Sequence, residues 1–187
     1  MKELNRDFFE RDTLSVAQEL LGKVISVNGF LGKIVEVEAY GQDPASHAFK
    51  KTERSKLMFD TFGYIYIYLI YGMYNCINFT TEKEGKPGAV LIRAIEPLNK
   101  IDKLQKIRKT NKLTKLCSGP GKLCQALKID KSLNGAKLGK GVKIYDDGSK
   151  VGSIGSSSRI GIKDALNLKW RFYIKENKFV SNVKFDK

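Results

Sequence analysis

Two carboxylates and a phenol follow one another in the stretch V-E-V-E-A-Y, residues 35–40. In an extended strand every second side chain lies on the same face, so Glu36, Glu38 and Tyr40 are predicted to share one face at a spacing of about 6.5–7 Å. A carboxylate in such a group can deprotonate water or stabilise a developing positive charge. A strand with one solvated face would also carry glutamates, so the pattern indicates acid–base chemistry without establishing it.

A single arginine interrupts the apolar run A-V-L-I-R-A-I, residues 89–95. Because a buried charge needs a partner, we expect Arg93 to pair with Glu36 or Glu38 if the two strands are neighbours. The pair can be purely structural, or it can hold reacting groups in place.

Tyrosines recur through residues 64–74 more densely than packing requires. Tyr64, Tyr66 and Tyr68 alternate on one predicted strand face. Their hydroxyls need partners when buried, and their rings suit the stacking of nucleobases. Tyr71 precedes a glycine, and the predicted tight turn would push its ring outward, where an aromatic side chain can wedge between base pairs.

The remaining reactive residue types are few. His47 is the only histidine, which excludes H-E-x-x-H and Cys2His2 zinc sites, and it falls in a predicted long irregular loop, residues 41–63. Cys76, Cys117 and Cys124 are odd in number and lack a C-x-x-C spacing, so they indicate free thiols in a reducing compartment.

The composition is that of a basic globular protein. The 187 residues include 34 Lys and Arg against 20 Asp and Glu, a net charge of +14. Such a surface usually meets a polyanion, most often nucleic acid, although a lysine-rich solubilising surface is the plain alternative. The N-terminus lacks the apolar core of a signal peptide, so a cytoplasmic location and no membrane are expected.

The elements that must position these residues indicate an α+β fold in one domain, residues 1–187, with a mostly antiparallel sheet. Strict alternation over residues 33–40 places Ile34 with the glutamates and Val35 on the opposite face. Residues 146–158 are predicted to be a mobile loop, and the lysines of residues 100–115 are candidates for phosphate contact. Helices are predicted over residues 13–21 and 122–127 and after Pro97, and strands over residues 23–27, 33–40, 64–70, 89–95, 159–162 and 170–174.

Five motifs in this order closely resemble the alkyladenine (3-methyladenine) DNA glycosylase family. The resemblance runs from about Phe8 to Tyr173. The motifs are I-V-E-V-E-A-Y, a following histidine, Y-I-Y-L-I-Y-G-M-Y-N-C-I-N, L-I-R-A-I-E-P and S-G-P-G-K-L-C-Q-A-L.

The resemblance implies a monofunctional base-excision enzyme that flips a damaged purine out of double-stranded DNA and hydrolyses its N-glycosidic bond. It also implies a curved antiparallel sheet with surrounding helices, similar to the formyltransferase C-terminal domain, working as a monomer without metal or other cofactor. The absence of a long N-terminal extension suggests a bacterial-type protein associated with the nucleoid.

The family's functional residues carry over to seven positions. The resemblance implies that Glu38 is the general base and that Arg93 helps to hold the water. The other five implied roles concern the base and the DNA: stacking on the flipped base by Tyr40 and Tyr68, contact with the base edge by His47, discrimination against guanine by Asn78, and insertion into the minor groove by Tyr71.

The chain departs from the family pattern at one segment, and three alternative functions stay open. The segment between Tyr40 and His47 is shorter than in the vertebrate enzymes, which puts base preference in doubt. The chain could instead be a non-catalytic module that stacks nucleic-acid bases on its tyrosine-rich face, a family member that only binds lesions, or a bifunctional lyase with a reactive lysine. The two glutamates argue against the stacking module, because they would repel phosphate.

Overall fold

The structure, a computed structural model, describes residues 1–181. That part of the chain contains nine strands and four α-helices. The strands are β1 (Lys2–Glu3), β2 (Val24–Val27), β3 (Phe30–Tyr40), β4 (Ile65–Ile70), β5 (Tyr74–Thr80), β6 (Ala89–Pro97), β7 (Val142–Asp146), β8 (Ile154–Ser157) and β9 (Arg171–Ile174). The helices are α1 (Thr13–Leu20), α2 (Lys56–Asp60), α3 (Ile101–Arg108) and α4 (Pro120–Leu127).

The strands form one antiparallel sheet that curls into a half-barrel. Its main path runs β1-β7-β2-β3-β6-β5-β4, and β9 pairs with both β3 and β8. The first half of β3 pairs with β2 through a two-residue Asn28-Gly29 turn, and its second half pairs with β9 along the same edge. The predicted α+β class with a curved, mostly antiparallel sheet is therefore confirmed.

The main hydrophobic core lies on one face of this sheet, under α1 and α4. Asp12 caps α1 by accepting a hydrogen bond from the Ser15 N–H, and Val16, Ala17 and Leu20 are buried against the sheet. This packing leaves the opposite face of β3 to β6 free to build a site.

Two β-bulges shift β3 against β6 at the centre of the sheet. Each strand carries one extra residue there, Val35 on β3 and Arg93 on β6. The expectation of strict alternation over residues 33–40 is wrong at its start, because Ile34 lies in the main core and Val35 packs on the other side. The extra residue of a bulge reverses the sheet face on which the preceding side chains lie. The positions after the bulge keep the predicted alternation.

Four local expectations are also wrong. Residues 41–63 contain α2 and a short 3-10 helix, His47–Phe49, and are not irregular throughout. Pro97 ends β6 and does not open a helix, because the pairing of β6 with β3 continues to that residue. Residues 159–162 form no strand, and β8 instead comes from the segment predicted to be a mobile loop, residues 146–158.

In the described part of the chain, no helix is long and apolar enough to cross a membrane. The predicted domain extends to residue 187, and its last six residues lie outside the described part.

Candidate active site

A cavity of about 320 Å³ opens on the face of the sheet opposite the main core. Its volume falls in the range of pockets that hold small organic ligands. Its walls come from β3, β4, β5 and β6 and from two loops, residues 45–47 and 160–162. Six of the seven predicted site residues line it: Tyr40, His47, Tyr68, Tyr71, Asn78 and Arg93.

Glu38, the seventh, is fully buried, and its three hydrogen-bonding or ionic partners all line the cavity. Its Oε2 accepts a hydrogen bond from the Tyr40 hydroxyl at 2.8 Å and lies 3.2 Å from Nη1 of Arg93. Its Oε1 accepts from the backbone N–H of Ile160 at 2.7 Å. An ionised carboxylate has about four lone-pair sites, so Oε1 keeps the capacity to accept one further donor.

Arg93 joins both glutamates of β3, which confirms the predicted pairing of neighbouring strands. Its Nε donates to Glu36 Oε1 at 3.0 Å, while Nη1 reaches Glu38. Because Arg93 is the extra residue of the β6 bulge, its side chain is turned between the two carboxylates. The guanidinium is thereby fixed at the cavity wall.

Glu36 has a different environment from Glu38, although both are fully buried. Its Oε1 accepts from Arg93, from Arg171 Nε at 2.7 Å and from Ser181 Oγ at 2.8 Å. Its Oε2 accepts from the Ser181 N–H at 2.7 Å. Burial alone would raise the pKa of Glu36, but the two arginines and the serine outweigh burial and hold the pKa below its usual value. Glu36 therefore acts as an ionised anchor for Arg93.

Tyr40 stays protonated beside Glu38. Burial and the Glu38 charge raise the pKa of its hydroxyl well above the usual value. The Tyr40 O–H is thus the donor in the bond to Glu38, and the Arg159 guanidinium covers the Tyr40 ring at 4.7 Å from its centre. A planar ligand can therefore stack only on the uncovered face of this ring.

His47, Tyr66 and Tyr68 form an aromatic wall. Nδ1 of His47 lies 2.9 Å from the Tyr66 hydroxyl oxygen, and the His47 ring meets the Tyr68 ring edge-on at 4.7 Å. Burial, aided by the positive charge of Arg54, lowers the pKa of His47 to about 4, so the imidazole is neutral at pH 7. Burial also raises the pKa of Tyr68. The wall is uncharged and suits contact with a flat heterocycle.

Asn78 and Cys76 lie side by side at the cavity surface contributed by β5. The Asn78 Nδ2 donates to the backbone carbonyls of Tyr66 at 3.0 Å and Cys76 at 3.3 Å, so the amide cannot turn without losing both bonds. Burial raises the pKa of the Cys76 thiol to about 11, which leaves it protonated. Asn78 thus presents a fixed amide to the cavity beside a neutral thiol.

Tyr71 stands at the turn between β4 and β5 and is 84% exposed. The Met73 N–H donates to the Ile70 carbonyl at 3.2 Å, and both central residues, Tyr71 and Gly72, have positive φ angles of 51° and 68°. A large non-glycine side chain rarely adopts this backbone, so the turn holds the ring out at a conformational cost. Tyr64 lies elsewhere, with its ring near Arg6.

Residues 7–178 match the sequence profile of the methylpurine-DNA glycosylase (MPG) family. The chain belongs to this family. A relative from Clostridium novyi is 48% identical, with 97% of this chain and 99% of the relative aligned. Another from Methanocella arvoryzae is 46% identical, with 97% and 96% aligned. Both relatives carry the name "Putative 3-methyladenine DNA glycosylase".

Several residues that support the site lie outside the set predicted from the sequence. Ile160 contacts Glu38 through its backbone, and Arg159 pairs with Asp43 beside Tyr40. Arg171 and Ser181 hold Glu36. No local signal marks these residues, because a backbone N–H is the same in any loop and the arginine partners are more than 110 positions apart in sequence from their carboxylates.

Proposed function

We propose that this protein is a monofunctional DNA glycosylase that flips alkylated or deaminated purines out of duplex DNA and hydrolyses the N-glycosidic bond with a water activated by Glu38. The observation that carries the proposal is the juxtaposition of Glu38, Tyr40, Arg93 and the Ile160 amide beside an aromatic-lined cavity. The family membership supports the same reaction class for methylpurines.

The walls of the cavity support binding of an extruded base. The uncovered face of Tyr40 and the rings of Tyr68 and His47 offer stacking and edge contacts to a purine. The fixed amide of Asn78 is proposed to disfavour the exocyclic amino group of guanine. Tyr71 would fill the gap left in the stack and slow the return of the base.

The remaining acceptor capacity of Glu38 supports hydrolysis by a water bound to this carboxylate. A water that donates to Oε1 is deprotonated as it attacks the sugar carbon, and the carboxylate stabilises the positive charge that develops on the sugar. Methylated purines such as 3-methyladenine already carry positive charge and leave without protonation. Hypoxanthine and ethenoadenine are neutral, and His47, with a pKa of about 4, is a poor proton donor at pH 7, so slower release is expected.

We propose further that the enzyme acts as a monomer, without a cofactor, on duplex DNA in the nucleoid. The net charge of +14 supports non-specific affinity through release of counterions from the phosphates. The base-stacking module is less favoured, because Tyr64 lies away from the cavity while Tyr66 is buried within it.

The first test measures base release from methylated DNA and from duplexes with one hypoxanthine or one ethenoadenine, followed by hot alkali to cut abasic sites. We expect alkali-dependent cleavage by the wild type. Glu38→Gln keeps the shape of the side chain but removes the carboxylate that accepts the proton from water. Excision should therefore fall by at least about 100-fold, while duplex binding is retained.

Three outcomes would contradict the proposal. Undiminished excision by Glu38→Gln would contradict the role of the carboxylate. A covalent protein–DNA adduct after borohydride treatment would show a lyase and contradict monofunctional chemistry. Tight, salt-sensitive binding without cleavage of any substrate by the wild type would favour the binding-module alternative.

A further inference from the structure

A buried ion pair between Asp43 and Arg159 joins the two loops that flank the cavity. Nη2 of Arg159 donates to Oδ1 of Asp43 at 2.6 Å, and Nη1 donates to Oδ2 at 3.0 Å. The Arg159 side chain has no exposed surface, and that of Asp43 is 6% exposed. A bidentate ion pair of this kind fixes both the distance between the two segments that contribute its residues and their relative orientation.

The same pair is tied to β3 and to the turn before His47. Nη1 of Arg159 also donates to the Ala39 carbonyl at 3.2 Å. Oδ1 of Asp43 accepts from the Ala45 N–H at 3.0 Å. One guanidinium therefore links the end of β3 to both loops that line the cavity.

The link to the reacting carboxylate is the next residue in the chain. Ile160 directly follows Arg159, and its N–H donates to Glu38 Oε1 at 2.7 Å. With the Arg159 side chain anchored at Asp43 and Ala39, the backbone of Ile160 cannot move away from Glu38. Neither Asp43 nor Arg159 lines the cavity, so any influence they have on the base passes through other residues.

We propose that Asp43 and Arg159 are positioning residues that hold the Ile160 amide on Glu38 and so orient the carboxylate that deprotonates the attacking water. This inference rests on the proposed function of Glu38. Stability alone explains the pair poorly, because buried ion pairs can often be replaced by apolar residues without loss. Next to a catalytic group, a small displacement is enough to slow the reaction by about two orders of magnitude.

The test compares Asp43→Asn and Arg159→Lys with a matched control, Glu82→Gln. Glu82 is also buried, and it accepts from the Thr13 N–H at 2.8 Å and pairs with Lys86, outside the cavity lining. In single-turnover release of bases from methylated DNA, we expect the rate constant at saturating protein to fall by about 10- to 100-fold in both test variants. The protein concentration at half-saturation should change by less than about threefold, and the control should keep the wild-type rate constant per folded molecule.

A second readout does not depend on activity. Hydrogen exchange of the Ile160 amide, measured by NMR, should accelerate by at least about tenfold in Asp43→Asn and stay unchanged in Glu82→Gln. Unchanged exchange in Asp43→Asn, or an equal loss of rate in the control, would overturn the positioning role. Wild-type protein that releases no base would instead refute the proposed function, and the exchange measurement would still decide whether the pair holds Ile160 against Glu38.

Discussion

Glu36 and Glu38 stand two positions apart on one strand face, yet their surroundings give them different roles. Four donor contacts, two of them from arginines, fill the hydrogen-bond acceptor capacity of the Glu36 carboxylate. The three partners of Glu38 leave its carboxylate able to accept one further hydrogen bond. The sequence left open whether Arg93 would pair with Glu36 or with Glu38. The structure assigns Arg93 to both and lets Arg171 and Ser181 complete the shell of Glu36.

His47 carries a pH prediction at the same scale. The pKa of His47 is about 4 in the folded protein, below the usual 6.5. As the pH falls, His47 therefore takes up a proton in the unfolded chain at a higher pH than it does in the folded protein. The free energy of unfolding should therefore decrease from about pH 6.5 down to about pH 4, and His47→Gln should show a smaller decrease over this window. Urea denaturation of both proteins at several pH values measures the difference, and identical pH dependences would contradict the burial of a neutral imidazole.

The turn between β4 and β5 holds Tyr71 in an exposed position at a conformational cost. Two successive residues with positive φ fit the primed turns of hairpins, in which Asn-Gly is the preferred pair. The chain uses that pair between β2 and β3, but places a tyrosine at the first position after β4. Local strain at a residue whose ring is 84% exposed makes Tyr71 a candidate for contact with a ligand outside the protein.

Tyr71→Asn tests this interpretation of the turn. Asparagine tolerates the left-handed backbone, so the free energy of unfolding should stay the same or rise by up to about 1 kcal/mol. The rate of base release should fall, because no ring remains to occupy the gap in the duplex. Thermal denaturation measures the first effect and single-turnover excision the second. A variant that is more stable and fully active would contradict the insertion of the Tyr71 ring into the duplex.

At the scale of the whole molecule, positive charge continues from the cavity along a neighbouring groove. This groove shares Ile70 and Pro120 with the cavity and is also lined by Arg108 and Lys122. The start of α4 lies between the two, and we expect a DNA strand that places a base in the cavity to contact these cations. The basic stretch named from the sequence, residues 100–115, contributes Arg108 to this surface.

Salt dependence of duplex binding tests this path. The affinity should fall steeply between 50 and 200 mM salt, and Lys122→Gln should make the slope of log K against log salt shallower by about 0.9, the value for one phosphate contact. Lys143→Gln is the matched control, because Lys143 pairs with Glu3 outside the groove. Equal slopes for the wild type and both variants would exclude a phosphate contact at Lys122.

The sequence by itself determined the α+β class, the alternation that brings Glu36, Glu38 and Tyr40 to one face, the turn that exposes Tyr71, and the resemblance to a family. The first three features depend on local periodicity and turn chemistry, which neighbouring residues decide, whereas the resemblance depends on the identity and order of the motif residues. Tertiary structure decided the bulges at Val35 and Arg93, the Asp43–Arg159 pair and the amide of Ile160 on Glu38. Those depend on contacts between segments distant in the chain, whose geometry exists only once the sheet has closed.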